Sequence, residues 1–180
     1  MPEDVFLELV RKHQAQIYQH AFYMLNDRED ATDVAQEVFI KAWKQGGKLR
    51  VETIKSWLLK CAHNLSLDLL RRRRFQLPLA KADDTEIETL IHGGKENVAF
   101  QAPALSPEEL CMKQERKQLV QQAIARLPLH FRTVVVMREI EGLSFEEIAE
   151  TLHQPVGTVK SNTFRARKKL REMLGNFFRR

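Results

Sequence analysis

Lys160, Ser161, Phe164, Arg165 and Lys168 fall on one side of a helix when residues advance by about 100° each. That side carries three cations, a hydroxyl and an aromatic ring, and no acid interrupts it before Glu172. These types suit the major groove of duplex DNA. Arg and Lys reach guanine edges and phosphates, Ser reaches phosphate, and an apolar group meets a thymine methyl. Thr158 lies where the first free amides of the same helix are expected. The competing reading is a solvated basic helix with Phe164 buried against another segment. Solvated faces, however, mix signs and leave out phenylalanine, so the pattern favours DNA.

The reading face needs a rigid mount, and the preceding residues describe one. Ser144 followed by Glu147 is a capping box, after which Phe145, Ile148, Ala149 and Leu152 share a helical face. Pro155 disfavours an α conformation at Gln154 and stops that helix; Pro155 and Gly157 surround the start of the next one. The inward side of the second helix is Val159, Thr163, Ala166, Leu170, Met173 and Phe177. A short helix, a turn and a second helix form a helix-turn-helix.

The 180 residues can hold one or two small domains, and 43% apolar content is enough for packed cores. Charge is uneven. Residues 1–75 carry 13 basic and 10 acidic groups, residues 76–111 carry 2 and 7, and residues 112–180 carry 14 and 7. Two basic lobes around an acidic middle suggest two polyanion-binding modules and a spacer. Cys61 and Cys111 are the two cysteines, which fits a reducing cytoplasm better than a disulfide scaffold. The first residues lack a signal-peptide pattern, and no apolar run approaches the roughly 20 residues that span a bilayer.

Helical spacing over Val5, Phe6, Leu9, Val10, Ile17, Tyr18, Ala21, Phe22 and Leu25 predicts a first helix, broken at Asn26 to Arg28. Asp27 can cap a second helix with Ala31, Val34, Ala35, Val38, Phe39, Ala42 and Trp43 inward, ending at Gly46-Gly47. Its outer face carries Asp33, Gln36, Glu37 and Lys41. A loop over 48–53 leads to a third helix from Ile54 to Arg74, with Trp57, Leu58, Cys61, Ala62, Leu65 and Leu69 as its stripe. Arg71 to Arg74 close it, either as solvated charges against the helix dipole or as phosphate ligands; the basic lobe downstream favours the second use. Periodicity then disappears from Leu77 to Pro107, where Pro78, Gly93, Gly94, Pro103 and an acidic excess describe a linker. Ser106-Pro107-Glu108-Glu109 signals a new helix start with Leu110, Leu119, Val120, Ala123, Ile124 and Leu127 inward. Pro128 opens another helix with Phe131, Val134, Val135, Met137 and Ile140 inward, closed by Gly142. The expected fold is all-α: a domain over 1–75, a flexible acidic linker over 76–107, and a four-helix domain over 108–180.

These residues resemble the extracytoplasmic-function sigma factors of the bacterial sigma-70 family over nearly the whole chain. Asp33 to Trp43 is similar to the region 2 helix that docks on RNA polymerase; Ser56 to Asn64, with Asp68 and Arg71, is similar to the segment that captures and melts the minus-ten element. Leu127-Pro128, Glu141 to Ala149, Pro155 to Ser161 and Arg165-Ala166-Arg167 resemble region 4, which reads the minus-thirty-five element. The resemblance implies that Asp33, Gln36, Glu37 and Phe39 contact core polymerase, through its beta and beta-prime subunits. It implies that Trp57, Lys60, Asn64, Arg71 and Arg72 meet the minus-ten element, and that residues 48–53 hold a flipped base. The family also implies an anti-sigma partner, no cofactor, no catalysis, no membrane insertion, a monomer when free, and a bacterial cytoplasm. Phe39 and Trp57 equally suit the core by helical phase, and the acidic face of the second helix equally suits solvent. Two departures stand out: Ile54 replaces a frequent aromatic, and Asn162 a frequent arginine.

Other classes fit less well. His13, His20, His63, His92, His130 and His153 are scattered, no four ligands have zinc spacing, and no glycine-rich phosphate loop precedes a Lys-Ser/Thr pair. A self-sufficient regulator with the same helix-turn-helix would bind paired half-sites as a dimer. An adaptor for a helical partner would leave its charges solvated. Neither explains an acidic outer face beside a basic helix that contains tryptophan.

Overall fold

The computed structural model describes residues 2–46, 53–76 and 107–177, and the described residues form helices and turns without strands. The order is α1 (Glu3–Leu25), α2 (Arg28–Gln45), α3 (Ile54–Gln76), α4 (Pro107–Ala125), α5 (Leu129–Val135), a π turn (Val136–Ile140), α6 (Phe145–Leu152) and α7 (Val156–Phe177). The expected base-binding loop over 48–52, the Ser106 cap and the body of the acidic linker lie outside the described residues.

Local chemistry sets the helix ends. Asn26 adopts the left-handed conformation at φ 53° and donates its amide to the Phe22 carbonyl, which ends α1. Asp27 then caps α2 by accepting from the Asp30 amide at 3.0 Å. Gly46, at φ 59°, ends it. The π turn ends where Glu141 donates to the Val136 carbonyl and Leu143 to that of Met137. Gly142 follows at φ 71°, a conformation that strains other residues.

The capping box on α6 is complete. Ser144 accepts from the Glu147 amide at 3.1 Å, and Glu147 accepts from the Ser144 amide at 2.7 Å. Hydrogen bonds from the Ser144 amide and then the Ser144 hydroxyl hold the Glu147 carboxyl below its usual range. Ser144→Ala should therefore cost about 1 kcal/mol of unfolding free energy. An unchanged urea midpoint would show that the cap adds nothing to packing.

Leu9, Ile17, Ala21, Met24 and Leu25 of α1 are buried, as are Ala31, Val34, Val38 and Ala42 of α2 and Leu58, Leu59 and Ala62 of α3. Ala123, Ile124, Leu127, Phe131, Val134, Val135, Met137, Ile148, Val159 and Ala166 are buried in the C-terminal group, and Leu170 and Met173 pack on them in part. Three expected core positions prove exposed: Val5 at 51%, Trp43 at 46% and Val120 at 38%. Trp43 meets Phe6 edge-on, with ring centroids 4.9 Å apart, and no described element covers the pair.

The two helical groups adjoin, α1 against α4 and the π turn, and α3 against α6. Polar side chains are buried in that junction. Arg132 is fully buried and donates to the Met24 carbonyl at 2.9 Å, to the Leu127 carbonyl at 3.2 Å and to the Ala125 carbonyl. These carbonyls sit at or just past the ends of α1 and α4, where helices leave acceptors without intrahelical donors. His20 Nδ1 lies 3.7 Å from Glu141 Oε1, both side chains sealed from water. His63 meets the His20 ring nearly at right angles, centroids 5.9 Å apart. Gln121 donates to Asn26 Oδ1 at 2.9 Å.

Candidate functional site

Three surfaces gather the residues whose chemistry stands out. The first is the outer side of α7. Val159, Thr163 and Ala166 are buried, and the Thr163 hydroxyl donates to the Val159 carbonyl at 2.8 Å. That fixes the helix rotation and turns Lys160, Ser161, Arg165 and Lys168 to solvent. Phe164 is 73% exposed, so none of the described segments covers its ring. Thr158 is exposed as well, but its amide is not free: it donates to the Pro155 carbonyl at 2.9 Å. Arg167 leaves this face and binds Glu139 through Nε at 3.0 Å and a terminal nitrogen at 2.5 Å, tying α7 to the π turn. Sequence periodicity gave no signal for that pair, since its partners are 28 residues apart.

The second surface is a stripe on α3. Trp57, Lys60, Asn64 and Arg71 recur at intervals of three, four and seven residues and so share one side, with Arg72 beside it. Asn64, Arg71 and Arg72 are exposed, while Trp57 is half-buried against the core with its remainder open. Arg71 reaches Asp68 at 3.5 Å across solvent, a contact too exposed to hold it. Arg73 turns the other way and pairs with Asp30 of α2. Lys60 Nζ lies 3.4 Å from His153 Nε2, so this stripe touches the turn of the helix-turn-helix. Cys61 sits beside it, and burial pushes its thiol up against the opposing pull of Lys41 and Lys60, which keeps it from being a ready nucleophile.

The third surface is on α2. Asp33 and Gln36 are exposed; Glu37 is half-buried and reaches Lys41 at 3.9 Å. Phe39 is only 8% exposed, and it forms the floor of an apolar groove between α1 and α2. Phe6, Val10, Gln36, Ile40 and Trp43 line the same groove. Helical phase assigns Trp43 to the core and Ile40 to no face in particular, yet both are open here, at 46% each. The available signal was that α2 is apolar on more of its circumference than one neighbour can cover.

No group of three or more His, Cys, Asp or Glu side chains among the described residues is placed to hold a metal ion. No helix among them is long and apolar enough to cross a membrane.

Residues 9–76 match the family Sigma-70 region 2, and residues 117–170 match Sigma-70, region 4. The chain is 34% identical over 174 residues to the ECF RNA polymerase sigma factor SigW of Bacillus subtilis, covering 96% of this chain and 90% of that protein. It is 37% identical over 169 residues to the RNA polymerase sigma-H factor of Pseudomonas aeruginosa, covering 92% and 84%. Among solved structures, the sigma factor RpoE of Bartonella quintana, in complex with the anti-sigma factor NepR, aligns with a TM-score of 0.67. That alignment covers 94% of this chain and 96% of that one at 22% identity, a likeness of fold.

Proposed function

The chain belongs to the extracytoplasmic-function sigma factors of the sigma-70 family, and from that premise we propose how its surfaces divide the work of promoter-specific initiation. α7 reads the duplex minus-thirty-five element through Thr158, Lys160, Ser161, Phe164, Arg165 and Lys168. α3 engages the minus-ten element through Trp57, Lys60, Asn64, Arg71 and Arg72 and favours its melting. Asp33, Gln36, Glu37 and Phe39 dock on core polymerase, with the groove beside Phe39 as the apolar part of the same contact.

The observation that carries the duplex reading is Phe164, 73% exposed among four cationic or hydroxyl neighbours. A large ring is costly to leave in water, and a thymine methyl or a base edge gives it apolar contact. On α3 an amide, a half-open tryptophan and two cations share a side, with a third cation beside it, a set that suits unstacked bases and backbone together.

On this reading residues 1–75 and 108–180 are separate functional lobes, and residues 76–107 are the acidic connection that runs close to the polymerase active-site channel. Lys60 and His153 touch in the arrangement described above, so engaging two separate promoter elements requires the lobes to part. The proposed partners are the beta and beta-prime subunits, promoter DNA and an anti-sigma factor, in a bacterial cytoplasm, with the free protein a monomer. The chain itself performs no catalysis.

Run-off transcription with core polymerase on a promoter library tests the reading. Initiation that depends on this protein, at sites sharing two spaced elements, supports it. Tight duplex binding by the protein alone, without initiation, would make it a conventional regulator. In the same assay Arg165→Ala should lose about 1–3 kcal/mol of discrimination at one base pair of the upstream element. Unchanged selectivity would remove Arg165 from the reading set.

A further inference from the structure

Phe145 carries two cations on its ring. The Arg138 guanidinium carbon lies 4.5 Å from the ring centroid, and Lys160 Nζ lies 5.7 Å from it. Both distances are within the range at which the negative face of an aromatic ring attracts a cation. Arg138 is held a second time, because it donates to the Leu143 carbonyl at 2.6 Å. Phe145 is held too. It is the first residue of α6, directly after the Ser144 cap, and its ring packs partly on the core.

Lys160 is exposed in the first turns of α7. A lysine there, without a support, samples many rotamers and acts as a diffuse counter-charge to phosphate. Seated at the Phe145 ring, its ammonium is biased to one place relative to the rest of the reading face. Fixed position is what separates a base contact from a phosphate contact, since only base edges carry sequence information.

Resting on the reading of α7 as a duplex reader, we propose that Phe145 and Arg138 are positioning residues that hold the Lys160 ammonium for a base-selective contact. The fitting acceptors are the adjacent O6 and N7 of a guanine, which a fixed cation can address in the major groove. Arg138 anchors the stack from the side of the π turn, and the ring offsets the repulsion between the two cations.

The test uses full-length protein with core polymerase on promoters randomised across the upstream element. Five proteins are compared: wild type, Lys160→Ala, Phe145→Leu, the double variant of these two, and Phe145→Tyr. Lys160→Ala should lose about tenfold of preference at one base pair. Phe145→Leu, which keeps apolar bulk but removes the π face, should lose about threefold at the same base pair. The double variant should be no worse than Lys160→Ala alone, because the ring acts through the lysine. Phe145→Tyr, which restores the face, should restore the preference, and matched thermal melts exclude misfolding as the cause.

A uniform loss across all sequences in Phe145→Leu, or additive losses in the double variant, would overturn the positioning role while leaving the duplex reading intact. If Lys160→Ala changes no preference, the assignment of Lys160 on α7 itself falls, and the inference falls with it.

Discussion

Replacing Arg132 with methionine is expected to lower the unfolding free energy by about 3–5 kcal/mol. The side chain is fully buried and serves three main-chain carbonyls, those of Met24, Ala125 and Leu127. Each loses its donor in the variant, and a buried acceptor without a partner costs roughly 1–3 kcal/mol. Methionine fills much of the volume and returns part of that loss as apolar burial, which keeps the total below the sum of the three. The guanidinium also lies at the negative ends of α1 and α4, where a cation is favoured. Domains of this size hold about 5–15 kcal/mol in all, so the loss should bring the urea midpoint down sharply. Arg132→Lys can reach fewer of the carbonyls and should fall between the two. A loss under about 1 kcal/mol for Arg132→Met would mean that water replaces the guanidinium at the junction.

Acid should destabilise the protein well before its exposed carboxylates account for the effect, and His63 is the reason. Burial, then the charges of His20 and Arg71, push the His63 imidazole down to about 3. In the unfolded chain a histidine titrates near 6.5. Between these values the unfolded state binds a proton that the folded state refuses, so stability is full above about pH 6.5 and falls as pH drops toward 3. The slope from this one group approaches about 1.4 kcal/mol per pH unit. Burial also lowers His13, ahead of the nearby Lys12, and it adds in the same direction. Urea unfolding at pH 7, 5 and 4 should show the decline, and His63→Gln should show a shallower one. The difference between the two slopes isolates His63 from carboxylates that titrate in both proteins. Identical slopes would mean that the folded protein lets His63 take up its proton.

Much of the fold was legible because helix starts and stops are local. The Ser144–Glu147 box, the Asn26-Asp27 break and Pro155 act within four residues of themselves. The same holds for the rotation of α7. Val159, Thr163 and Ala166 alternate with Lys160, Phe164 and Arg165 at the helical period, so knowing which side packs fixes which side faces solvent. The family could be recognised from the order of such motifs along the chain.

The misses share a different cause. Trp43 and Val5 have core phase on their own helices, yet burial needs another element to cover them, and none of the described elements does. Arg132 carries no local signal of burial, and α1, more than a hundred residues earlier, presents the Met24 carbonyl that its guanidinium meets. Arg167 belongs to the basic run of α7, and only the fold brings Glu139, 28 residues earlier, into an ion pair with it. Phe145 has the phase of a core residue, and only the approach of Arg138 and Lys160 gives its ring a second use. Sequence by itself determined the helices, their polarity and the kind of chemistry each face carries, because those depend on neighbours a few residues away. Which faces are covered, which cations stay open to solvent and which pair within the fold was decided by tertiary structure, because burial and pairing depend on segments that the chain brings together from far apart.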